Sequence, residues 1–166
     1  MGEQKSNVYT SMNSDAAKQI CGWQYELPYS VYNYISYEDA LEKQTAITKA
    51  ENAGNYLCFW NNDTLIAYTS VLFKDEKVFI GIGIAPQFCG QGLGEFYLDK
   101  TVLEAQKRYA DKEIWVQVRS WNECAIKCYR KCGFVEKYRE IIPYRFNQNT
   151  EFIFMCYEGE NENNQI

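Results

Sequence analysis

The sequence predicts a mixed α/β (α+β) domain built on one central sheet. Three observations carry that prediction. Short strand-like runs alternate with amphipathic helical patterns along most of the chain. One such run, Val78 to Ala85, passes through a glycine-rich turn into the longest helical stripe. No internal repeat or linker interrupts the 166 residues, 46% of them apolar, so one domain with a proper core is expected.

The elements follow in order. Residues 1–7 read as a disordered leader, and their Met-Gly-Glu-Gln-Lys-Ser start also fits the short N-myristoylation pattern. The domain itself is read as 8–157. Val8 to Met12 is a strand. Ser14, followed by Asp15, caps a helix to about Trp23. Trp23 to Tyr34 is dense in aromatics and broken by Pro28, so it is irregular or only briefly helical. A second helix runs from Ser36 to about Ala53 and stops at Gly54. Tyr56–Trp60 and Leu65–Phe73 are strands joined by an Asn61-Asn62-Asp63 turn. A polar turn, Lys74–Lys77, leads to the strand that starts at Val78. The next helix keeps Gly94, Leu98, Val102, Ala105 and Tyr109 on one buried stripe. Glu113–Val118 is a strand and Asn122–Lys131 a helix stopped by Gly133. Phe134–Ile142 and Glu151–Tyr157 close the sheet as a pair around Pro143, and 158–166 is a polar tail.

Composition narrows the function. The net charge is −5 with no lysine/arginine cluster, which argues against nucleic-acid binding and suits a cationic partner. Seven cysteines, an odd count without a CxxC pair or a signal peptide, fit a reduced cytoplasmic protein. No histidine is present, which removes Ser-His and Cys-His nucleophiles and the usual zinc sites. No metal is expected. No apolar run reaches the length of a membrane span.

The stretch Val78 to Glu95 is the chemically loaded one. Ile80, Ile82 and Ile84 alternate with Gly81, Gly83 and Ala85, so one strand face is nearly bare and open to a close ligand or to tight packing of strand on helix. Pro86 ends the strand. Gly90, Gly92 and Gly94 then open a helix, where backbone N–H groups and the helix dipole attract an anion.

Two motifs carry a resemblance. Ile84-Ala-Pro-Gln-Phe-Cys-Gly-Gln-Gly-Leu-Gly94 is similar to the acyl-CoA pyrophosphate loop of the GNAT superfamily of N-acetyltransferases. Asn122-Glu-Cys-Ala-Ile-Lys-Cys-Tyr129-Arg-Lys-Cys-Gly133-Phe134 resembles that family's Asn-x-x-Ala-x-x-x-Tyr-x-x-x-Gly-Phe segment. Gln87-x-x-Gly90-x-Gly92 also fits the loop formula. The Pro-x-aromatic lead-in and Gly-Leu-Gly end favour the register Cys89-x-x-Gly92-x-Gly94, which puts Cys89 where arginine or glutamine is usual.

The resemblance implies a GNAT-like fold with a central mixed, mostly antiparallel sheet flanked by helices. It implies acetyl-CoA as co-substrate and transfer of its acetyl group to a primary amine by direct attack. Ile82, Gly83 and Ile84 would pair with the pantetheine arm. Gly90, Gln91, Gly92, Leu93, Gly94 and Glu95 would hold the pyrophosphate, Asn122 would hydrogen-bond the arm, and Tyr129 would protonate the departing thiolate. Without the motif, Tyr129 reads as a core aromatic.

The strand before the Asn122 helix carries Gln117 where the ribosomal-protein N-terminal branch of the family has a glutamate. A glutamine cannot take the ammonium proton. Three alternatives stay open: an amine that arrives neutral, a water relay, or a carboxylate elsewhere such as Glu26 or Glu140. Trp23, Tyr25, Tyr29 and Tyr32 are the candidates for the acceptor side, through cation–π contact, or else they pack over the core. The acceptor would be a small-molecule amine or a peptide N-terminus, and the protein a monomer or homodimer. A non-catalytic acyl-CoA-binding or sensing domain is the alternative. Cys89, at a predicted helix start, is where a thiolate would be favoured. Cys124, Cys128 and Cys132 line one helix face as small apolar side chains or, less simply, as a metal ladder.

Overall fold

The computed structural model describes residues 8–144 and 148–159. It contains a seven-stranded mixed sheet, mostly antiparallel, with helices, in the strand order β1-β2-β3-β4-β5-β7-β6. The strands are β1 Tyr9–Thr10, β2 Tyr56–Asn61, β3 Thr64–Lys74, β4 Lys77–Ile84, β5 Ile114–Arg119, β6 Phe134–Tyr144 and β7 Gln148–Tyr157. The helices are α1 Ser14–Gly22, α2 Tyr37–Glu42, α3 Leu93–Arg108 and α4 Glu123–Lys131. Pairing is antiparallel for β1 with β2, β2 with β3, β5 with β7 and β6 with β7, and parallel for β4 with β5. Among the described residues no helix is long and apolar enough to cross a membrane.

The fold comprises two compact units. The first holds the described residues up to Ser70 together with Ile82–Leu93. Its core gathers Ala16, Ala17, Ile20 and Cys21 of α1 with Ala40, Ile47, Cys58, Leu65 and Ala85. Asn13, not Ser14, caps α1, its Oδ1 accepting from the Ala16 N–H at 2.8 Å. Ser36 does cap α2, accepting from Asp39 N–H at 3.1 Å.

The long second helix is not formed. α2 stops after Glu42 because Gln44 takes φ of 49°. The Thr48 hydroxyl then donates to the Ala40 and Thr45 carbonyls, each at 3.0 Å. Such local side-chain bonds compete with a helix ladder, so 46–48 and 50–55 form 3-10 turns instead. Tyr29–Tyr32 is one more 3-10 turn, the brief helix expected after Pro28.

The second unit holds Val71–Gly81 and the residues from Gly94 onward. Asp75 and Glu76 both have positive φ and make the tight two-residue turn between β3 and β4. α3 buries Tyr97, Leu98, Thr101, Val102 and Ala105, and Tyr109 stacks on Phe73 at 5.0 Å. β6 and β7 are longer than predicted. Pro143 lies inside β6, opposite Asn149, rather than in the connection. An edge strand tolerates it, because a missing N–H on the outer side breaks no ladder bond. Glu158 still belongs to the packed structure: its N–H donates to the Gly133 carbonyl at 2.9 Å and its carboxylate pairs with Lys137. The predicted leader, and the tail from residue 160, lie outside the described residues.

Candidate active site

In the first unit the residues expected to bind the acyl carrier sit at the end of β4 and in the loop after it. The Ala85 N–H donates to the Ile66 carbonyl at 2.8 Å, so by strand alternation Ile82 and Ile84 turn their amides to the opposite edge. On that edge the Tyr25 hydroxyl donates to the Ile84 carbonyl at 2.5 Å. Tyr25 is itself held by Asn33, whose Oδ1 accepts from its N–H at 2.7 Å.

The bare strand face is not open at Gly83. A Cβ there would lie 2.5 Å from Cε1 of Tyr68, so the missing side chain makes room for that ring. The close neighbour expected to be a ligand or a helix is therefore a ring of β3. Trp23 and Tyr56 flank Tyr68 with centroids 5.9 and 6.2 Å away. Tyr68 and Tyr56 had no motif to announce them. The available signal was register: Tyr68 follows Ala67 on a strand whose other face buries Leu65, Ala67, Thr69 and Val71.

Pro86–Phe88 makes one 3-10 turn, and Gly90 and Gly92 follow with φ of 77° and 71°. Nothing lies within 4 Å of a Cβ built at either glycine, so conformation rather than space requires them. Left-handed residues interleaved with ordinary ones turn successive N–H groups into one concavity, a nest for an anion. α3 starts at once, at Leu93, and adds its unbonded first-turn N–H groups.

Cys89 departs from expectation. It follows the 3-10 turn in extended conformation, ahead of both loop glycines and not at the start of α3. Its thiol donates to the Ile84 and Ala85 carbonyls at 3.6 Å, and burial pushes it above the usual thiol range, away from thiolate.

The four aromatics predicted for the acceptor side divide. Trp23 is buried and Tyr25 half-buried beside Ile84, while Tyr29 and the exposed Tyr32 lie in the 3-10 turn. Burial drives the Tyr25 and Tyr68 phenols well above the ordinary tyrosine range and Tyr56 up to about 12. They therefore stay protonated at neutral pH and are not bases; the Tyr25 hydroxyl donates to the Ile84 carbonyl. Glu26 and Glu140 are both exposed.

In the second unit, the α4 end braces the first turn of α3. Lys131 Nζ lies 3.2 Å from the Glu95 carboxylate, and the Cys132 thiol donates to the Glu95 carbonyl at 3.9 Å. Asn122 is the N-cap of α4, its Oδ1 accepting from Ala125 N–H at 3.2 Å. Its side-chain oxygen thus has a structural duty that the motif alone did not reveal. Tyr129 is 6% exposed and meets Phe134 edge-on at 5.8 Å. Gln117 is the single exposed residue of β5, opposite Phe154, while Trp115 and Arg119 on the same face are buried. Among the described residues no three His, Cys, Asp or Glu side chains could hold a metal ion.

The sequence profile of the acetyltransferase (GNAT) family matches residues 17–134. The Escherichia coli K12 ribosomal protein bS18-alanine N-acetyltransferase is 30% identical over 95 residues, 57% of this chain, and the match spans 64% of that protein's length. A chimera of the Vibrio cholerae spermidine N-acetyltransferase SpeG and hSSAT has a similar fold, with TM-score 0.71 and 18% identity over 90% of this chain and 94% of that one. The structure of yncA from Salmonella typhimurium with its cofactor acetyl-CoA gives TM-score 0.58 and 19% identity over 79% and 78% of the two chains.

Proposed function

The chain belongs to the acetyltransferase (GNAT) family, and from that premise we propose that it transfers the acetyl group of acetyl-CoA to a primary amine. The observation that carries this reading is the Gly90–Glu95 loop. Two left-handed glycines before a helix N-terminus make a backbone anion site of the kind a pyrophosphate needs. The amides of Ile82 and Ile84 face away from β3 and suit an extended, amide-bearing arm. The structure bound to acetyl-CoA shares this fold.

Each residue then has a task. The loop amides hold the pyrophosphate. An Ile84-edge amide donates to the thioester oxygen as it becomes negative. The amine nitrogen attacks the carbonyl carbon, the C–S bond breaks, and Tyr129 gives the leaving sulfur its proton. The proton shed by the new amide nitrogen returns through solvent to the tyrosinate.

Gln117 cannot take a proton, and the buried phenols of the aromatic cluster hold theirs. An amine that arrives neutral needs no base from the protein, and this is the acceptor we propose. An α-amine of pKa ~8 is about a tenth neutral at pH 7, whereas an ordinary alkylamine of ~10.4 is below about a thousandth. A peptide N-terminus or a small weakly basic amine fits best, as the name of the bS18-alanine relative allows.

The test is a panel of amines of graded pKa, followed by thiol release. Log kcat/KM should rise with unit slope and level off at each acceptor's own pKa. One inflection near neutrality for every acceptor would instead require an enzyme base. Tight CoA binding without turnover on any acceptor would favour an acyl-CoA sensor.

Gly92→Ala tests the loop separately. The left-handed conformation costs an alanine about 1–2 kcal/mol. With open space beside it, the fold should survive while CoA binds roughly tenfold or more weakly, since 1.4 kcal/mol is tenfold. Unchanged CoA affinity would remove the loop from the site.

A further inference from the structure

The acetyl-transfer reading leaves unused a thiol pair at the end of α4. Cys128 lies on α4 and Cys132 is its C-cap, one turn further on. Cys128 is partly exposed and Cys132 buried. Cys132 is also the thiol that reaches the Glu95 carbonyl, in the first turn of α3. We propose that Cys128 and Cys132 form a reversible peroxide-sensitive pair, Cys128 as the reacting thiol and Cys132 as the resolving one, whose disulfide loosens the anion loop.

The geometry permits the bond. Residues four apart on a helix have Cα atoms about 6 Å apart, inside the roughly 4.4–6.8 Å range of disulfides. Side chains one turn apart must still draw closer. That adjustment falls at a helix end, where Cys132 is the C-cap and Gly133 follows with φ of 99°. The thiols also differ in the right direction. The neighbouring Cys132 thiol, helped by Lys131, holds Cys128 below the usual thiol range against burial, Glu95 and Asp99. Burial raises Cys21, Cys58, Cys89 and Cys156, so thiolate is disfavoured there.

The chemistry balances with hydrogen peroxide as oxidant. The Cys128 thiolate attacks one peroxide oxygen, the O–O bond breaks, and hydroxide leaves to take up a proton. The resulting sulfenic acid is attacked by the Cys132 thiol. Its S–O bond breaks, water departs, and the disulfide forms. Two thiols lose two electrons in all, and one peroxide becomes two waters. Cys132 is then drawn off the Glu95 carbonyl, and the turn carrying Tyr129 tightens. That last consequence rests on the acetyl-transfer reading; the thiol chemistry does not.

The experiment oxidises the native protein with hydrogen peroxide, blocks remaining thiols and maps tryptic peptides. Two of the seven free thiols should disappear, with the peptide 128–130 joined to 132–137. In Cys132→Ser, dimedone should trap a lasting sulfenic acid at Cys128. CoA affinity, read by calorimetry, should fall severalfold on oxidation and recover with dithiothreitol. A link from 128–130 to 120–127, which holds Cys124, or first reaction at Cys89, would overturn the pairing. A formed Cys128–Cys132 bond with unchanged CoA affinity would overturn its coupling to the loop.

Discussion

Gly133→Ala should cost about 3 kcal/mol, which lowers the melting temperature by roughly 6–12 °C for a domain of this size. Two independent causes add. Gly133 has φ of 99°, a conformation that an L side chain resists. An added Cβ would also lie 2.6 Å from the Gly159 carbonyl oxygen and 2.8 Å from its carbon. These are backbone atoms and cannot swing aside as a side-chain tip would. Relief requires residues 158–159 to shift, and with them the bond from Glu158 N–H to the Gly133 carbonyl. Thermal unfolding followed by circular dichroism reads the loss. A melting temperature within about 2 °C of the parent, less than a 1 kcal/mol effect gives, would show that 158–159 yields freely. Gly90→Ala is the matched control, with positive φ and open space around it, so only the conformational part should appear.

That contrast shows what the sequence could and could not disclose. Gly133 was legible as a helix stop because a left-handed C-terminal glycine is a local requirement. Its second duty, admitting the Gly159 carbonyl, comes from residues distant in the chain and leaves no local mark. The same holds for Gly83, whose alternation with isoleucine was visible and whose partner Tyr68 was not. The positions along the chain of the main strands and of the helices α1, α3 and α4 followed from periodicity and glycine punctuation. The helix predicted from Ser36 to Ala53 failed because Gln44 in the left-handed region and the Thr48 hydroxyl outweigh an unbroken polar pattern. In the site, the loop was legible because glycines there answer to backbone conformation. The roles of side chains were less so. Asn122 proved to be a cap as well as a motif residue, and Cys89 proved to bond the carbonyls of Ile84 and Ala85.

Tyr129→Phe should lower kcat by about a hundredfold, the lower end of what a positioned general acid contributes. The ring that meets Phe134 edge-on is kept in this variant, and circular dichroism checks that the fold is too. CoA affinity should stay within about twofold, because an interaction made only as the sulfur becomes negative does not stabilise the ground state. A free phenol (pKa ~10) is a weaker acid than a free thiol (~8.5), so the proposed transfer is about 2 kcal/mol uphill if completed. On the proposed mechanism Tyr129 therefore helps most when the C–S bond is nearly broken and the sulfur carries nearly full charge. That timing gives a sharper readout than kcat alone. Acetyl thioesters with more acidic leaving thiols need less help, so the Phe variant's deficit should shrink as the leaving-thiol pKa falls. A role confined to packing would depress every thioester equally, and a deficit that is the same across the series would remove Tyr129 as the acid.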